Sequence, residues 1–171
     1  MAAAMTVTKE QFRQAMGCFA TGVTVVTVAR EDGGVHGMTA NAFCSVSLDP
    51  LLVLVCVDRR ARTHPILHAS EHFGINVLNE EQQSLATHYA RPDRDDRGAE
   101  RVGAKFAHTK RGTPLLAGCL GHLECRLVKA HEAGDHTIFI GQVELVTLQE
   151  GRPLLFYRGR YESLEEAERE R

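Results

Sequence analysis

Residues 37–57 read GMTANAFCSVSLDPLLVLVCV, small and polar residues on a β pattern that run straight into an unbroken apolar stretch. The stretch 51–57 has the composition of a strand buried on both faces, and Asp49-Pro50 breaks the chain just before it. Upstream, Gly37, Thr39, Ala40, Asn41, Ala42, Ser45 and Ser47 leave little side-chain bulk. Backbone amides there can approach a flat ligand closely, and the hydroxyl and amide groups can bond its polar edge.

Working outward, Thr8-Lys9-Glu10-Gln11 has the form of a capping box. Phe12, Ala15, Met16 and Phe19 follow at helical spacing until Gly22 ends the helix. Residues 23–29 are β-branched and Glu31-Asp32-Gly33-Gly34 is a turn, so a hairpin leads into the opening segment. Past it, Thr63 is placed to cap a short helix with Pro65 in its first turn, 73–78 returns to strand, and Asn79 caps a helix through Tyr89. Residues 91–105 are charged and aperiodic, a long surface loop of the kind used as a lid. The stretches 122–129, 137–148 and 154–157 alternate as antiparallel strands, and 164–171 is a charged helical or frayed end. These pieces predict a mainly β fold, a closed antiparallel barrel with flanking helices.

The chain has 171 residues, 43% of them apolar, enough for one well-buried core, and a single domain is expected over 1–171. A net charge of -2 supplies no general field for nucleic acid or an anionic membrane. No apolar run approaches the roughly 20 residues that span a bilayer, and the start MAAAMTV lacks the pattern of a secretion signal, so a cytoplasmic location is expected. Five cysteines without CxxC spacing read as buried reduced thiols, with Cys44 inside the ligand segment.

There is neither a P-loop nor a GxGxxG after a strand, so any nucleotide must bind on the β architecture itself. Arg59, Arg60, Arg62 and Thr63 follow the apolar strand and lead into a helix start, where an arginine, a hydroxyl and helical amides can meet a phosphate; a solvated turn is the alternative. His136 follows Gly134 and Asp135 at a strand mouth, where the carboxylate can orient its ring; an ordinary turn histidine is the alternative. His64, His68 and His72 have helical spacing, but no carboxylate or cysteine completes a metal shell and Pro65 implies an early end to the helix, so no metal is expected. No GxSxG supports a hydrolase.

FATGVTVVT at 19–27, GMTANAFCSVSLDP, FGINVLNEEQQSLA at 73–86, Lys105-Phe106, PLLAGCLGHLECRL at 114–127, GDHTIFIGQV at 134–143 and the tail PLLFYRGRY occur together in order. Over about residues 12–161 the chain resembles the short-chain flavin reductases, the FMN-binding split-barrel partners of two-component monooxygenases. The resemblance implies a flavin site of FMN or FAD on Met38, Thr39, Ala40, Asn41, Ala42, Ser45, Val46 and Ser47, with phosphate at Arg62 and Thr63. It implies a nicotinamide site for NADH or NADPH at Gly134, Asp135 and His136, with His136 the catalytic residue that positions the donor. Phe106 is implied as a flavin neighbour, or else a core anchor, and Tyr157 as a neighbour of the nicotinamide. A homodimer and a partner monooxygenase fed by diffusible reduced flavin complete that expectation. A non-catalytic flavin-storage protein, or a split-barrel oxidase or haem-binding relative, are the rivals; the GDH segment speaks for the reductase.

Overall fold

The computed structural model describes residues 6–164, so the end expected at 164–171 lies, beyond Leu164, outside the described residues. Helix α1 (Lys9–Gly17) starts on the capping box: the Gln11 N–H donates to Thr8 Oγ1 at 3.1 Å and the Thr8 N–H to Gln11 Oε1 at 3.0 Å. It ends at Cys18, short of the expected Gly22. None of its residues is buried, and Phe12, Met16 and Phe19 are exposed by 61, 52 and 70%. Its apolar stripe therefore faces outward.

A short strand and a hairpin follow: β1 (Thr21–Gly22), then β2 (Thr24–Ala29) and β3 (Val35–Ala40), with the Arg30 N–H bonded to the Gly34 carbonyl across the turn. Strand β4 (Phe43–Leu48) turns through Asp49-Pro50 into β5 (Leu51–Asp58), then come α2 (Thr63–Ala69) and β6 (His72–Val77). Asn79 caps a 3-10 turn, Glu80–Gln82, that runs into α3 (Gln83–Ala90). After a second 3-10 turn, Asp96–Val102, the chain forms β7 (Phe106–His108), β8 (Pro114–Leu116), β9 (Gly121–Ala133), β10 (His136–Leu148), β11 (Leu155–Tyr157) and β12 (Arg160–Glu162).

Seven strands pair antiparallel in the order β3-β2-β6-β9-β10-β5-β4. This sheet curls around one core: Val26 and Val28 of β2 share a cluster with Val53, Val55 and Val57 of β5, together with Phe73, Ile75, Cys125 and Phe139. Leu67 of α2 joins the same cluster and plugs one end. Edge strands β3 and β4 are joined only through Asn41 and Ala42 and do not pair, so the barrel wall is split at that seam. Where β10 crosses the packed interior, a Cβ on Gly141 would stand 2.6 Å from Phe73 Cζ, which explains the glycine.

A second core lies outside β2. Val23 and Val25 pack there with Leu85, Ala86 and Tyr89 of α3, and with Leu116, Cys119 and Leu154. Strand β2, not β5, is thus the one buried on both faces. The outward-facing Leu52, Leu54 and Cys56 of β5 are only half-buried, because no helix among the described residues covers that side. The segment 91–105 also departs from the free loop its composition suggests. Ala99 and Ala104 are buried in the second core, and the buried Arg94 donates to the Arg91 carbonyl at 2.9 Å. Two alanines small enough to enter a packed layer pin the segment down.

Candidate functional site

Gly134 (φ 64°) and Asp135 form the two-residue turn between β9 and β10, so the GDH segment is a hairpin tip. A left-handed φ at the first turn position suits glycine. The tip is braced by the end of β5, where the Arg59 N–H donates to the Asp135 carbonyl at 3.0 Å. His136 pairs with Asp58, and its outward-facing side chain lies on the same side of the sheet as Cys56 and Ile138. Its Nδ1 is 2.7 Å from Asp135 Oδ1, and that bond to His136 holds the Asp135 carboxyl below its usual range. Asp58 is held well below the carboxylate range by hydrogen bonds from the Arg60 side chain and backbone. His136 therefore sits beside two ionised carboxylates, one of which bonds Nδ1 and leaves Nε2 facing outward.

The seam lies close by. The Cys56 N–H donates to the Ala42 carbonyl at 3.0 Å, and Cys56 pairs with Ile138. Strand spacing and rise then put the Asn41–Ala42 corner about 12 Å from His136 on the same outward face. Met38, Phe43 and Ala61 pack at the edge of the barrel core with the buried Ala40, an apolar floor under the seam. Asn41, Ala42, Ser45 and Val46 are exposed and Ser47 is half-buried. The unpaired outer edges of β3 and β4 add backbone N–H and C=O groups at this place. A flat apolar ring with a polar edge fits an apolar floor rimmed by backbone and small side chains.

Several expected residues are employed differently. A Cβ on Gly37 would stand 2.5 Å from Tyr89 Cε1, so this glycine makes room for α3 rather than for a ligand. The Thr39 hydroxyl donates to the Ala86 carbonyl at 2.7 Å and ties β3 to the same helix. Thr63 is the first residue of α2, not its cap, and is 1% exposed. Its Oγ1 lies 2.8 Å from His36 Nε2 and accepts from Arg94 Nη2 at 3.3 Å, so protein groups already occupy the hydroxyl assigned to phosphate. Arg62 precedes it, is exposed, and donates to the Arg94 carbonyl at 2.8 Å.

Phe106 packs against the core outside β2, and Tyr157 lies in β11 with the Arg158 guanidinium 5.2 Å from its ring centre. Phe106, together with Phe156 and Tyr161 on either side of Tyr157, belongs to the layer on the α3 side, apart from Met38 and Phe43. Two cavities of about 870 and 760 Å³ flank the β2–β3 hairpin, the first lined by Lys105 and Phe106 and the second by Arg62. Neither is lined by residues 38–47 or 134–136. Sequence reasoning passed over His36 and Arg94. The alternation of His36 with Met38 and Ala40 would have marked the histidine as inward-facing. His72 stands in β6 beside Glu144 Oε2 at 3.3 Å, off the helix that carries His64 and His68. Cys18 and Cys44 are exposed, against the expectation of burial; Cys119 and Cys125 are buried and their thiols pushed up to about 12 by desolvation.

A family model described as the flavin reductase like domain matches residues 16–165, and the chain belongs to that family. An NADH-dependent flavin reductase of Rhodococcus sp is 44% identical over 165 residues, covering 93% of this chain and 88% of the relative. The reductase subunit HsaB of a flavin-dependent monooxygenase from Rhodococcus jostii is 38% identical, covering 95 and 82%. The solved Streptomyces globisporus NADH:FAD oxidoreductase SgcE6, in complex with NAD and FAD fragments, superposes with a TM-score of 0.86 at 38% identity, covering 96% of this chain and 99% of that one. The fold is accordingly the split barrel of flavin reductases.

Proposed function

We propose that this chain is a single-domain NAD(P)H:flavin oxidoreductase that reduces FMN or FAD and supplies the reduced flavin to a separate monooxygenase in the cytoplasm. The observation that carries the reading is the shared outward face of the Asn41–Ala42 seam and His136, bridged by one strand, β5. Met38, Ala40 and Phe43 would form the floor under the flavin ring, with Asn41, Ala42, Ser45, Val46, Ser47 and the strand edges toward its polar side. Arg62 is the phosphate contact; Thr63 supports it through buried bonds.

Flavin held at this site would supply the hydride acceptor, N5, for C4 of the nicotinamide. The protein's part is positional. When Asp135 accepts the Nδ1 proton of neutral His136, Nε2 is left as an acceptor for the carboxamide N–H of the donor. Fixing that contact holds the two reacting rings together, and proximity supplies most of the rate. Gly134 and Asp135 shape the tip that presents the imidazole.

We further propose a homodimer, supported by apolar residues left outside the barrel. Val46, Leu48, Leu51, Val146 and Leu148 are exposed by 47, 86, 50, 52 and 80%. The test is NADH or NADPH oxidation with and without added FMN or FAD, followed at the nicotinamide absorbance band. Turnover that requires flavin supports the reductase; flavin binding without turnover with either donor leaves the storage protein.

A further inference from the structure

Helix α2 begins with two side chains that reach in opposite directions. Thr63 Oγ1 bonds His36 in β3, the strand that continues into Met38 and Ala40. The next residue, His64, places Nε2 2.8 Å from Oγ1 of Thr137, the inward neighbour of His136 in β10. Thr137 is 2% exposed and faces the barrel interior, while His136 faces out from the same strand. The His64 ring is set edge-on against Phe139, 5.4 Å between centres, so packing restricts its rotation. Neither bond is needed to cap α2, whose N-cap residue Arg62 makes no side-chain cap bond. One helical turn thus ties the strand proposed to carry flavin to the strand proposed to carry nicotinamide.

We propose that His64 is a positioning residue for the reductase: its bond to Thr137 fixes the start of β10 from inside the barrel and so sets the height and orientation of His136. This rests on the reading of His136 as the nicotinamide contact. If the bond is lost, the β10 start gains freedom on the inner side while Asp135 still holds the ring on the outer side. The effect should then fall on nicotinamide binding, not on flavin.

The experiment uses the full chain with bound flavin, in wild type and in His64→Ala, His64→Gln, Thr137→Val and the His64→Ala/Thr137→Val double variant. Anaerobic stopped-flow reduction gives the NADH affinity and the limiting rate, and fluorescence quenching gives flavin affinity. The His136 imidazole signals are followed by nitrogen–proton correlation, identified by their loss in His136→Gln. Each single variant except His64→Gln is expected to weaken NADH binding about fivefold to tenfold, with flavin affinity changed less than twofold. The double variant should be no worse than either single one, because a single bond is removed. The His136 signals should move in His64→Ala and return in His64→Gln, whose amide can still reach the Thr137 hydroxyl. Unmoved His136 signals in folded His64→Ala or Thr137→Val, or losses that add in the double variant, would overturn the proposal. If His136→Ala itself leaves NADH affinity intact, the nicotinamide reading fails separately, and the His136 signals alone then decide whether His64 positions β10.

Discussion

The two sides of the barrel wall are finished differently. Outside β2, helix α3 and the segment 91–105 seal a second core in which Val23, Val25, Leu78, Ala86, Tyr89 and Leu116 are all at most 2% exposed. Outside β4, β5 and β10 nothing in the described chain covers the sheet, and Leu48 and Leu148 are exposed by 86 and 80%. The seam and the GDH tip both open on that uncovered side. Burial on the first side holds the fold together; the second side leaves apolar surface and backbone edges uncovered, where the proposed ligands and second subunit would sit.

Substitutions can break this comparison, starting with the largest effect. Tyr89→Ala removes a ring packed against Gly37 and should lower stability by about 3 to 5 kcal/mol, read as a shift of the urea midpoint at constant slope. A loss under about 1 kcal/mol would mean that the α3 side is not the sealed one. Leu48→Glu or Leu148→Glu on the open side should change the unfolding of the isolated subunit by no more than about 0.5 kcal/mol. Each should weaken dimerisation by about 2 kcal/mol, the scale of one leucine buried at an interface, seen as a fall in mass by light scattering on dilution. An unchanged mass would detach the dimer from this face.

Thiols sharpen the contrast between sealed and open regions. Cys18 should alkylate in the native protein, while Cys119 and Cys125 should react only when it unfolds, which mass spectrometry resolves by peptide. The pH dependence has a definite sign. Burial raises the Cys119 and Cys125 thiols from 9.0 to about 12 in the fold, so the native state keeps protons that the unfolded chain releases. The stability they contribute is complete below about pH 9 and falls as pH rises from there toward 12. Serine at both positions should flatten that decline. The smallest effect belongs to Thr8→Ala, which should cost α1 about 1 kcal/mol of local stability. It would appear as faster amide exchange over residues 9–17 with the barrel midpoint unmoved.

Much of this was legible in the residues. Thr8 and Gln11 announced α1, Gly33-Gly34 the first hairpin, Asp49-Pro50 the break before β5, and the joint presence of GMTANAFCSVS and GDH the family. What stayed hidden depends on distant partners. An apolar run cannot say which of its faces a helix will cover, so β5 was read as doubly buried when β2 is. Gly37 looked like ligand space until Tyr89 filled it, and Thr63 looked like a phosphate ligand until His36, from a different strand, took its hydroxyl. His64 was legible only as one of three spaced histidines; its bond to Thr137 spans the chain from residue 64 to 137 and leaves no local pattern.

The most direct test of the central claim is anaerobic single-turnover reduction of bound flavin by NADH in wild type and His136→Ala, with flavin affinity titrated in parallel. If the outward imidazole at the hairpin tip meets the nicotinamide, the variant should lose about tenfold or more in NADH affinity or reduction rate while flavin binding barely changes. Unaltered reduction kinetics in a folded variant would contradict the account and leave His136 an ordinary strand-end residue, and a large fall in flavin affinity would move it into the flavin site.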